Sequence, residues 1–236
     1  MNNSLAFIGR ENEIKELRRL YMQRKHVLLV GVAGIGKTAL LRQMRQHFPM
    51  LLCEETSSLG RICDGLERQL GWKHYKMNVI ERKNRLIAYL GRRGEPVVFD
   101  NMALTPPRVA RFVAHLIERI PVWVAGRSAL ASDIGAVWQH LYAFQRIELG
   151  PLLPGESAAL IEASVAIGNV QTDARAHIRK LHQMAGGNPR ILEELLIELA
   201  AREYKMDTSF GMHLLDLDRR IHEVATQTAA TLQPVH

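Results

Sequence analysis

The sequence predicts an α/β protein, a five-stranded parallel sheet with helices on both faces, followed by a small all-helical lid domain. Two observations predict this fold class. Short apolar runs alternate with helical patterns through residues 1–150, which is typical of a parallel sheet. A segment rich in proline and glycine follows at 150–155, and every later pattern is helical. We therefore expect the sheet domain at 1–150 and the lid domain, with a frayed C-terminal tail, at 151–236.

The elements follow in order along the chain. A helix near 11–24 precedes five predicted strands, which lie at 26–30, 50–54, 96–100, 122–125 and 146–149. The first strand is a buried apolar run, and the third is an apolar run that ends in an acid. The lid domain is predicted to contain helices at 156–167, 173–184, 189–203 and 212–226, and the polar tail from Thr226 onward is expected to fray.

The first strand leads into Gly31-Val32-Ala33-Gly34-Ile35-Gly36-Lys37-Thr38, which fits the phosphate-cradling pattern G-x-x-x-x-G-K-[ST]. A predicted helix at 39–48 follows, so the order is strand, loop, helix, and we predict a P-loop NTPase sheet. Three glycines let backbone N–H groups point at phosphate oxygens, at the positive end of that helix. Lys37 adds a charge for the terminal phosphates, and Thr38 offers a hydroxyl to Mg²⁺. The expected cofactors are ATP and Mg²⁺, bound by Val32, Ala33, Gly34, Ile35, Gly36, Lys37, Thr38 and Ala39.

A second site element is the third strand, which ends at Asp100 and Asn101. A carboxylate at a strand tip can hold Mg²⁺ through water, so Asp100 joins Thr38 as a predicted metal residue. The alternative is that any buried strand leaving into an Asp-Asn turn looks the same.

Four short motifs, in order, resemble those of the STAND and origin-recognition-like branch of the AAA+ P-loop ATPases. Phe7-Ile8-Gly9-Arg10-Glu11-Asn12-Glu13-Ile14 resembles the box that packs against adenine and ribose in that family, which implies cofactor contacts for Ile8, Gly9 and Arg10. Residues 122–128 are similar to a fourth strand that ends in a γ-phosphate sensor, here Arg127. Residues 187–190 match the G-x-P turn of the lid, which implies nucleotide contacts for Pro189 and Arg190, and residues 149–152 with Glu156 resemble the segment that opens it.

The resemblance assigns catalytic roles to Lys37, Asp100, Asn101 and Arg127, but Asn101 stands where many relatives have an acid that orients the attacking water. An amide cannot accept a proton, so either hydrolysis is slow or another acid is the base. Glu54 and Glu55 are candidates if the second strand lies beside the third, and otherwise they are solvated acids. Arg127 has the alternative of a solvated strand-end residue, and Arg146 is the candidate arginine finger toward a neighbouring subunit.

The positive charge is concentrated in one segment. Residues 61–93 contain nine Lys or Arg against three acids, a net of +6 in a chain of net +7. Aromatic residues lie among the basic residues of this segment, at Trp72, His74, Tyr75 and Tyr89. A segment of this composition can bind along a nucleic-acid backbone. In DNA-loading relatives this segment grips DNA, so the candidate DNA-binding residues are Lys73, Lys76, Arg82, Lys83 and Arg85. The alternative is a solvated helical face.

We therefore predict a cytoplasmic ATP-binding and slowly hydrolysing AAA+/STAND switch whose nucleotide state controls self-assembly and the engagement of a partner or DNA. The expected partners are ATP or ADP, further copies of the chain, an effector protein on a separate chain, and DNA, but no membrane. Cys53 and Cys63 are expected to be reduced thiols, and no metal besides Mg²⁺ is implied. The alternative is a protein-only signalling module with ATP or ADP as a conformational latch. A small-molecule kinase is disfavoured because no acceptor site is visible.

Overall fold

The computed structural model describes residues 7–73, 76–167, 172–201, 211, 213–221 and 224. The chain divides into two compact units, one formed by Arg10–Gly150 and one by Pro151–His236 together with Met1–Gly9. We call them the sheet unit and the helical unit. His74, Tyr75, the predicted tail from Thr226 and parts of the predicted helix 212–226 lie outside the described residues.

The sheet unit contains a five-stranded parallel sheet, as predicted. Its strands are β1 (Val27–Val30), β2 (Leu51–Cys53), β3 (Val97–Phe99), β4 (Val122–Gly126) and β5 (Gln145–Glu148). They lie in the order β2-β3-β4-β1-β5, and each neighbouring pair is parallel. The carboxyl ends of β1, β3 and β4 are therefore adjacent, and this edge of the sheet carries the residues of the candidate site.

Helices cover the sheet because both of its faces are apolar. The helices of this unit are α1 (Glu11–Met22), α2 (Lys37–His47), α3 (Leu59–Gln69), α4 (Val79–Arg93), α5 (Pro107–Ile117) and α6 (Ala131–Ile134), and a short 3₁₀ helix follows at Ala136–His140. Leu28 and Val30 of β1 belong to one apolar cluster with residues of α3, α4 and α5. Val27 and Leu29 point the other way and are equally buried, as expected for strands covered on both faces.

The helical unit has its own apolar core. Its helices are α7 (Pro154–Ala166), α8 (Ile178–Ala185) and α9 (Pro189–Ala201), with a 3₁₀ helix at Thr172–His177 before α8. Buried leucines from all three α-helices pack together, and Ile8 packs against this cluster. The described residues 211, 213–221 and 224 are helical. No described helix is long and apolar enough to cross a membrane.

In the helical unit, two predicted helices differ from the structure. The single helix predicted at 173–184 is instead a 3₁₀ helix followed by α8, with a break at His177 (φ −115°, ψ 13°). The segment has no glycine or proline, so no local signal marked the break. Helix α7 begins at Pro154 rather than 156, because proline suits the first helical position and Glu156 Oε2 accepts a hydrogen bond from Leu153 N (2.7 Å).

Candidate nucleotide-binding site

The phosphate loop, Gly31 to Thr38, connects β1 directly to α2. Gly36 is the N-cap of α2 in a left-handed conformation (φ 100°), which favours glycine. Without a capping side chain, the first N–H groups of α2 stay available to an anion. A Cβ on Gly31 would lie 2.9 Å from the Leu149 carbonyl oxygen, so this position also requires glycine. The loop therefore has the backbone geometry of an anion cradle.

Lys37 lies in the first turn of α2 and folds back over the loop. Its Nζ donates hydrogen bonds to the carbonyl oxygens of Gly31 (2.6 Å) and Val32 (3.0 Å). Burial lowers the pKa of Lys37, while the nearby Asp100 carboxylate opposes this shift and the Arg127 guanidinium adds to it. The structure thus brings Lys37, Asp100 and Arg127 together from α2, β3 and β4.

Thr38 and Asp100 meet beneath the loop. Thr38 Oγ1 donates to Asp100 Oδ2 (2.5 Å), and Asn101 N donates to Asp100 Oδ1 (2.8 Å), which fixes the carboxylate. Asp100 is fully buried. A hydroxyl and a carboxylate oxygen are the ligand types that Mg²⁺ prefers, so these residues fit the ion. When bound, Mg²⁺ would neutralise phosphate charge, and Thr38 and Asp100 are the residues that would hold it.

The predicted condition for Glu54 is met, since β2 lies beside β3. However, Glu54 accepts two hydrogen bonds of 2.8 Å from Arg42 of α2, and these lower its pKa. A carboxylate with a lowered pKa is a weaker base. Glu55 is exposed and lies 3.7 Å from Arg61. Asn101, in a left-handed conformation (φ 53°), is exposed beside Asp100. None of the three is arranged as a strong general base.

Arg42 was missed by the sequence reasoning, although a signal for it exists. It lies four residues after Thr38 in α2, so the two side chains share a helix face. Besides binding Glu54, its guanidinium interacts electrostatically with Asp100. A search of the helix face that follows the loop would have found it.

The three candidate arginines differ in their surroundings. Arg127 directly follows β4, is exposed, and forms no hydrogen bond or ion pair with the described residues. Arg146 lies on the edge strand β5 and pairs with Glu148 (2.9 Å). In the helical unit, Arg190 pairs with Glu194 (2.8 Å) one turn later in α9. Within the sheet unit, the charge of Arg127 acts on Lys37.

The G-x-P turn begins α9 in the helical unit. Pro189 is its first residue, and Asn188 Oδ1 accepts hydrogen bonds from the backbone N–H groups of Arg190 (3.1 Å) and Ile191 (3.4 Å). A Cβ on Gly187 (φ 68°) would lie 2.6 Å from the Leu152 carbonyl oxygen. The turn is therefore a tightly packed cap on α9.

The predicted adenine box is divided between the units. Ile8 packs in the helical core, and a Cβ on Gly9 (φ 76°) would lie 2.6 Å from Glu156 Oε1 in the same unit. Arg10 belongs to the sheet unit, where its buried guanidinium donates to the Ile35 carbonyl oxygen of the phosphate loop (3.1 Å). Sequence alone gave no signal for that contact.

Two of the five candidate DNA-binding residues are engaged within the sheet unit. Arg82, whose side chain is only 14% exposed, pairs with Asp64 and Glu67 of α3 (2.6 Å each), and these partners raise its pKa. Arg85 lies over the Trp72 ring, 4.1 Å from its centroid. Both therefore help to fix α4. Lys73, Lys76 and Lys83 form no hydrogen bond or ion pair with the described residues, and Lys73 and Lys76 are exposed.

A family model described as an AAA ATPase domain matches residues 6–205, most of the chain. The chain belongs to the AAA ATPase domain family. This confirms the resemblance drawn from the motifs. No curated protein matches the sequence.

Solved structures of AAA ATPase proteins share the fold at low identity. Cdc6p from Pyrobaculum aerophilum is 15% identical, with a TM-score of 0.63 over 84% of this chain and 64% of that chain. The Orc1 protein of Aeropyrum pernix, solved in complex with DNA, is 14% identical, with a TM-score of 0.65 over 91% of this chain and 66% of that one. A STAND protein with a tetratricopeptide repeat sensor from Pyrococcus horikoshii is 16% identical, with a TM-score of 0.51 over 89% of this chain and 32% of that one. The chain spans less than two thirds of the length of these relatives.

Proposed function

We propose that this protein is an ATP-binding switch of the AAA ATPase domain family that hydrolyses ATP slowly, and whose nucleotide state controls self-assembly and the engagement of DNA or a protein partner. The observation that carries this proposal is the hydrogen bond between Thr38 and buried Asp100 (2.5 Å), directly below a glycine loop that bears Lys37. This arrangement offers phosphate oxygens an N–H cradle and a cation, and offers Mg²⁺ two oxygen ligands.

Slow hydrolysis follows from the lack of a free base among the candidates. Asn101 cannot accept a proton, and Glu54 is held by Arg42 through two hydrogen bonds. A switch that stays in its ATP state for long periods can hold an assembly together. We keep Arg127 as the proposed sensor, and Arg146 as the proposed finger to a second copy. The helical unit, with Pro189 and Arg190, is the proposed lid over a domain spanning 1–150.

DNA engagement is the first candidate for what the switch controls. Three lysines of the basic segment, Lys73, Lys76 and Lys83, are not used in ion pairs with the described residues. Phosphate contacts by such lysines give an affinity that falls steeply with salt. The fold shared with Orc1 from Aeropyrum pernix, which was solved with DNA, makes this the favoured candidate.

A protein-only signalling module is the second candidate. The engagement of Arg82 and Arg85 within the sheet unit reduces the charge available to DNA. The sheet unit also exposes large apolar side chains, a feature of protein interfaces. Four of them lie in the segments that follow β3 and β4: Leu104 (74% exposed), Leu130 (64%), Trp138 (51%) and Tyr142 (91%). In this case the effector is a protein on a separate chain.

The two candidates are separated by light scattering and DNA-binding anisotropy with ADP, ATP or a non-hydrolysable ATP analogue, at low and moderate salt. One variant replaces Lys73, Lys76 and Lys83 with glutamine. A control replaces three exposed basic residues outside the segment, Lys15, Arg18 and Lys25, and so removes the same charge.

The DNA candidate predicts that ATP drives assembly on DNA, and that the segment variant loses affinity while the control variant keeps most of it. Assembly with ATP but without DNA affinity would replace it with the protein-only module. If neither nucleotide changes the assembly or DNA affinity, the switch itself is contradicted.

A further inference from the structure

The chain passes between its two units at two places, Gly9 to Arg10 and Gly150 to Pro151. Both places adjoin the Arg10 side chain within the sheet unit. Arg10 is the first residue after one crossing, and its Nη2 donates a hydrogen bond of 2.7 Å to the carbonyl oxygen of Gly150, the last residue before the other. One side chain thus contacts both connections.

The same nitrogen atom reaches the phosphate loop. Arg10 Nη2 also donates to the Ile35 carbonyl oxygen (3.1 Å), and Nη1 pairs with Glu13 Oε1 (3.1 Å), which orients the guanidinium. Arg10 is only 5% exposed. Charge-assisted hydrogen bonds are stronger than neutral ones, and a buried guanidinium loses them at a high cost. Arg10 therefore connects the phosphate loop to Gly150, the last residue of the sheet unit.

The backbone at Arg10 supports a specific role for this side chain. Arg10 has a left-handed conformation (φ 70°, ψ 23°), which costs a non-glycine residue about 1–2 kcal/mol. Such conformations persist where surrounding contacts impose them, and they cluster at functional sites. Here the hydrogen bonds from the guanidinium to Glu13, Ile35 and Gly150 are among the contacts that hold Arg10 in place.

Ile35 and Gly150 lie where a change in the conformation of the phosphate loop can affect the segment after β5. Ile35 lies between Gly34 and Gly36, and its N–H makes a long hydrogen bond of 3.4 Å to the Val32 carbonyl oxygen, so this backbone bond is weak although the Ile35 side chain is buried. Leu149 is fixed to β1 through Leu149 N and the Val30 carbonyl oxygen (2.8 Å). Gly150 is thus the first residue past the sheet, where the chain is free to turn.

We propose that Arg10 is a positioning residue that couples the phosphate loop to the connections between the units, so that nucleotide binding at the loop sets the conformation of residues 149–152. The inference rests on the proposed nucleotide site. It assigns Arg10 a task different from contacting adenine and ribose, since its guanidinium already binds the carbonyl oxygens of Ile35 and Gly150.

The test compares hydrogen–deuterium exchange at 149–152 in the full chain for Arg10→Met, Arg10→Lys and the control Arg19→Met. Arg19 lies in α1, the helix that Arg10 precedes, but it is exposed and paired with Glu16. Without nucleotide, we expect Arg10→Met to speed exchange at 149–152 by about tenfold or more, the effect of losing charge-assisted hydrogen bonds, and Arg10→Lys to speed it less. Peptides from β4 and the Arg19→Met variant should be unchanged.

At Mg·ADP concentrations that saturate each protein, exchange at 149–152 should slow in the wild type but not in Arg10→Met. Equal protection in both proteins would overturn the coupling.

The nucleotide-free comparison separates this inference from the proposed function. If the wild type does not bind Mg·ADP, the proposed function is wrong. Nucleotide binding then cannot set the conformation of residues 149–152 either. If exchange at 149–152 is unchanged in nucleotide-free Arg10→Met, the Arg10 side chain does not hold this segment, even in a protein that binds nucleotide well.

Discussion

At the scale of residues, the contact between Thr38 and Asp100 determines the chemistry of the site. It joins the first turn of α2 to the tip of β3, and Asn101 N holds the second carboxylate oxygen. A fully buried carboxylate is expensive unless it is hydrogen-bonded, so both bonds are needed to keep Asp100 in place. The free-energy cost of burying this carboxylate is consistent with a role in binding a cation.

Asp100→Asn should abolish the contribution of Mg²⁺ to nucleotide binding. The amide keeps the shape of the side chain but loses the negative charge that attracts the ion. We expect Mg²⁺-dependent ADP affinity to fall by about 10–100-fold, with little change in EDTA. Titration of a fluorescent ADP analogue with and without Mg²⁺ measures this. Glu55→Gln, which removes an exposed acid at the end of β2, is the charge control, and an equal loss in both variants would contradict the assignment.

The two cysteines should be unreactive in the folded protein. Burial raises the pKa of Cys53 to about 12 and that of Cys63 to about 11. Since the thiolate is the reactive form, labelling at pH 8 should be slower than for an unfolded control by about a hundredfold or more. Because both pKa values are raised by folding, the free energy of unfolding should also decrease as pH rises above about 8.5. Rapid labelling of either thiol in native buffer would contradict the burial.

The sequence identified Lys37, Thr38 and Asp100 because a local motif or strand end marks each of them. The contacts of Arg10 and Arg42 were not predicted, and the reasons differ. Arg42 follows from helical spacing after Thr38, whereas the bond from Arg10 to Gly150 joins residues 140 positions apart. Periodicity and motifs describe short stretches of chain, so they cannot predict such a contact.

At the scale of elements, the loops that follow β3 and β4 are fastened together near the site. Leu104 N donates to the Asp133 carbonyl oxygen (2.9 Å), and Thr105 N donates to the Ile134 carbonyl oxygen (3.1 Å). Gly135 allows this close approach, with φ 73° and ψ −152°, a conformation essentially restricted to glycine. The pairing fixes the segments that lead away from Asp100 and Arg127.

Gly135→Ala should therefore destabilise the sheet unit. Its Cβ would lie 2.1 Å from Thr105 N, so the two loops would have to separate. We expect the free energy of unfolding to decrease by about 2–4 kcal/mol in urea denaturation. Gly60→Ala, in helix α3 where the new Cβ meets only Ser58 Oγ at 3.9 Å, should instead be neutral or stabilising by up to about 1 kcal/mol. Equal stability of the two variants would contradict the role of Gly135.

The sequence predicted the strands better than the helix boundaries. Strands β1 to β4 are short apolar runs in a sheet with two covered faces, a pattern that leaves few alternatives, whereas in the edge strand β5 only Ile147 is buried. Helix boundaries depend on caps and packing, so α7 started earlier than expected and the break at His177 was not foreseen. Helix α2 also begins earlier than predicted, at Lys37 rather than at residue 39, because Gly36 is its N-cap.

At the scale of the whole molecule, charge is distributed unevenly along the chain. The segment 61–93 has a net charge of +6, while the chain from Ile191 onward has eight acids against four basic residues. Opposite charges on different parts of one chain favour association between copies and make it salt-dependent. We expect any ATP-dependent assembly to weaken as salt rises, as measured by light scattering between about 50 and 300 mM NaCl. Assembly that strengthens with salt would show that apolar surfaces dominate it.

Calorimetric titration of the wild type and Lys37→Ala with Mg·ATP and Mg·ADP tests most directly whether the phosphate loop binds nucleotide. We expect saturable binding of both nucleotides by the wild type, and a loss of affinity of about tenfold or more in Lys37→Ala, because the lysine contributes a charge to the terminal phosphates. Circular dichroism should show both proteins equally folded. No binding by the wild type at millimolar nucleotide, or equal binding by a folded Lys37→Ala, would contradict the assignment of the loop as the nucleotide site.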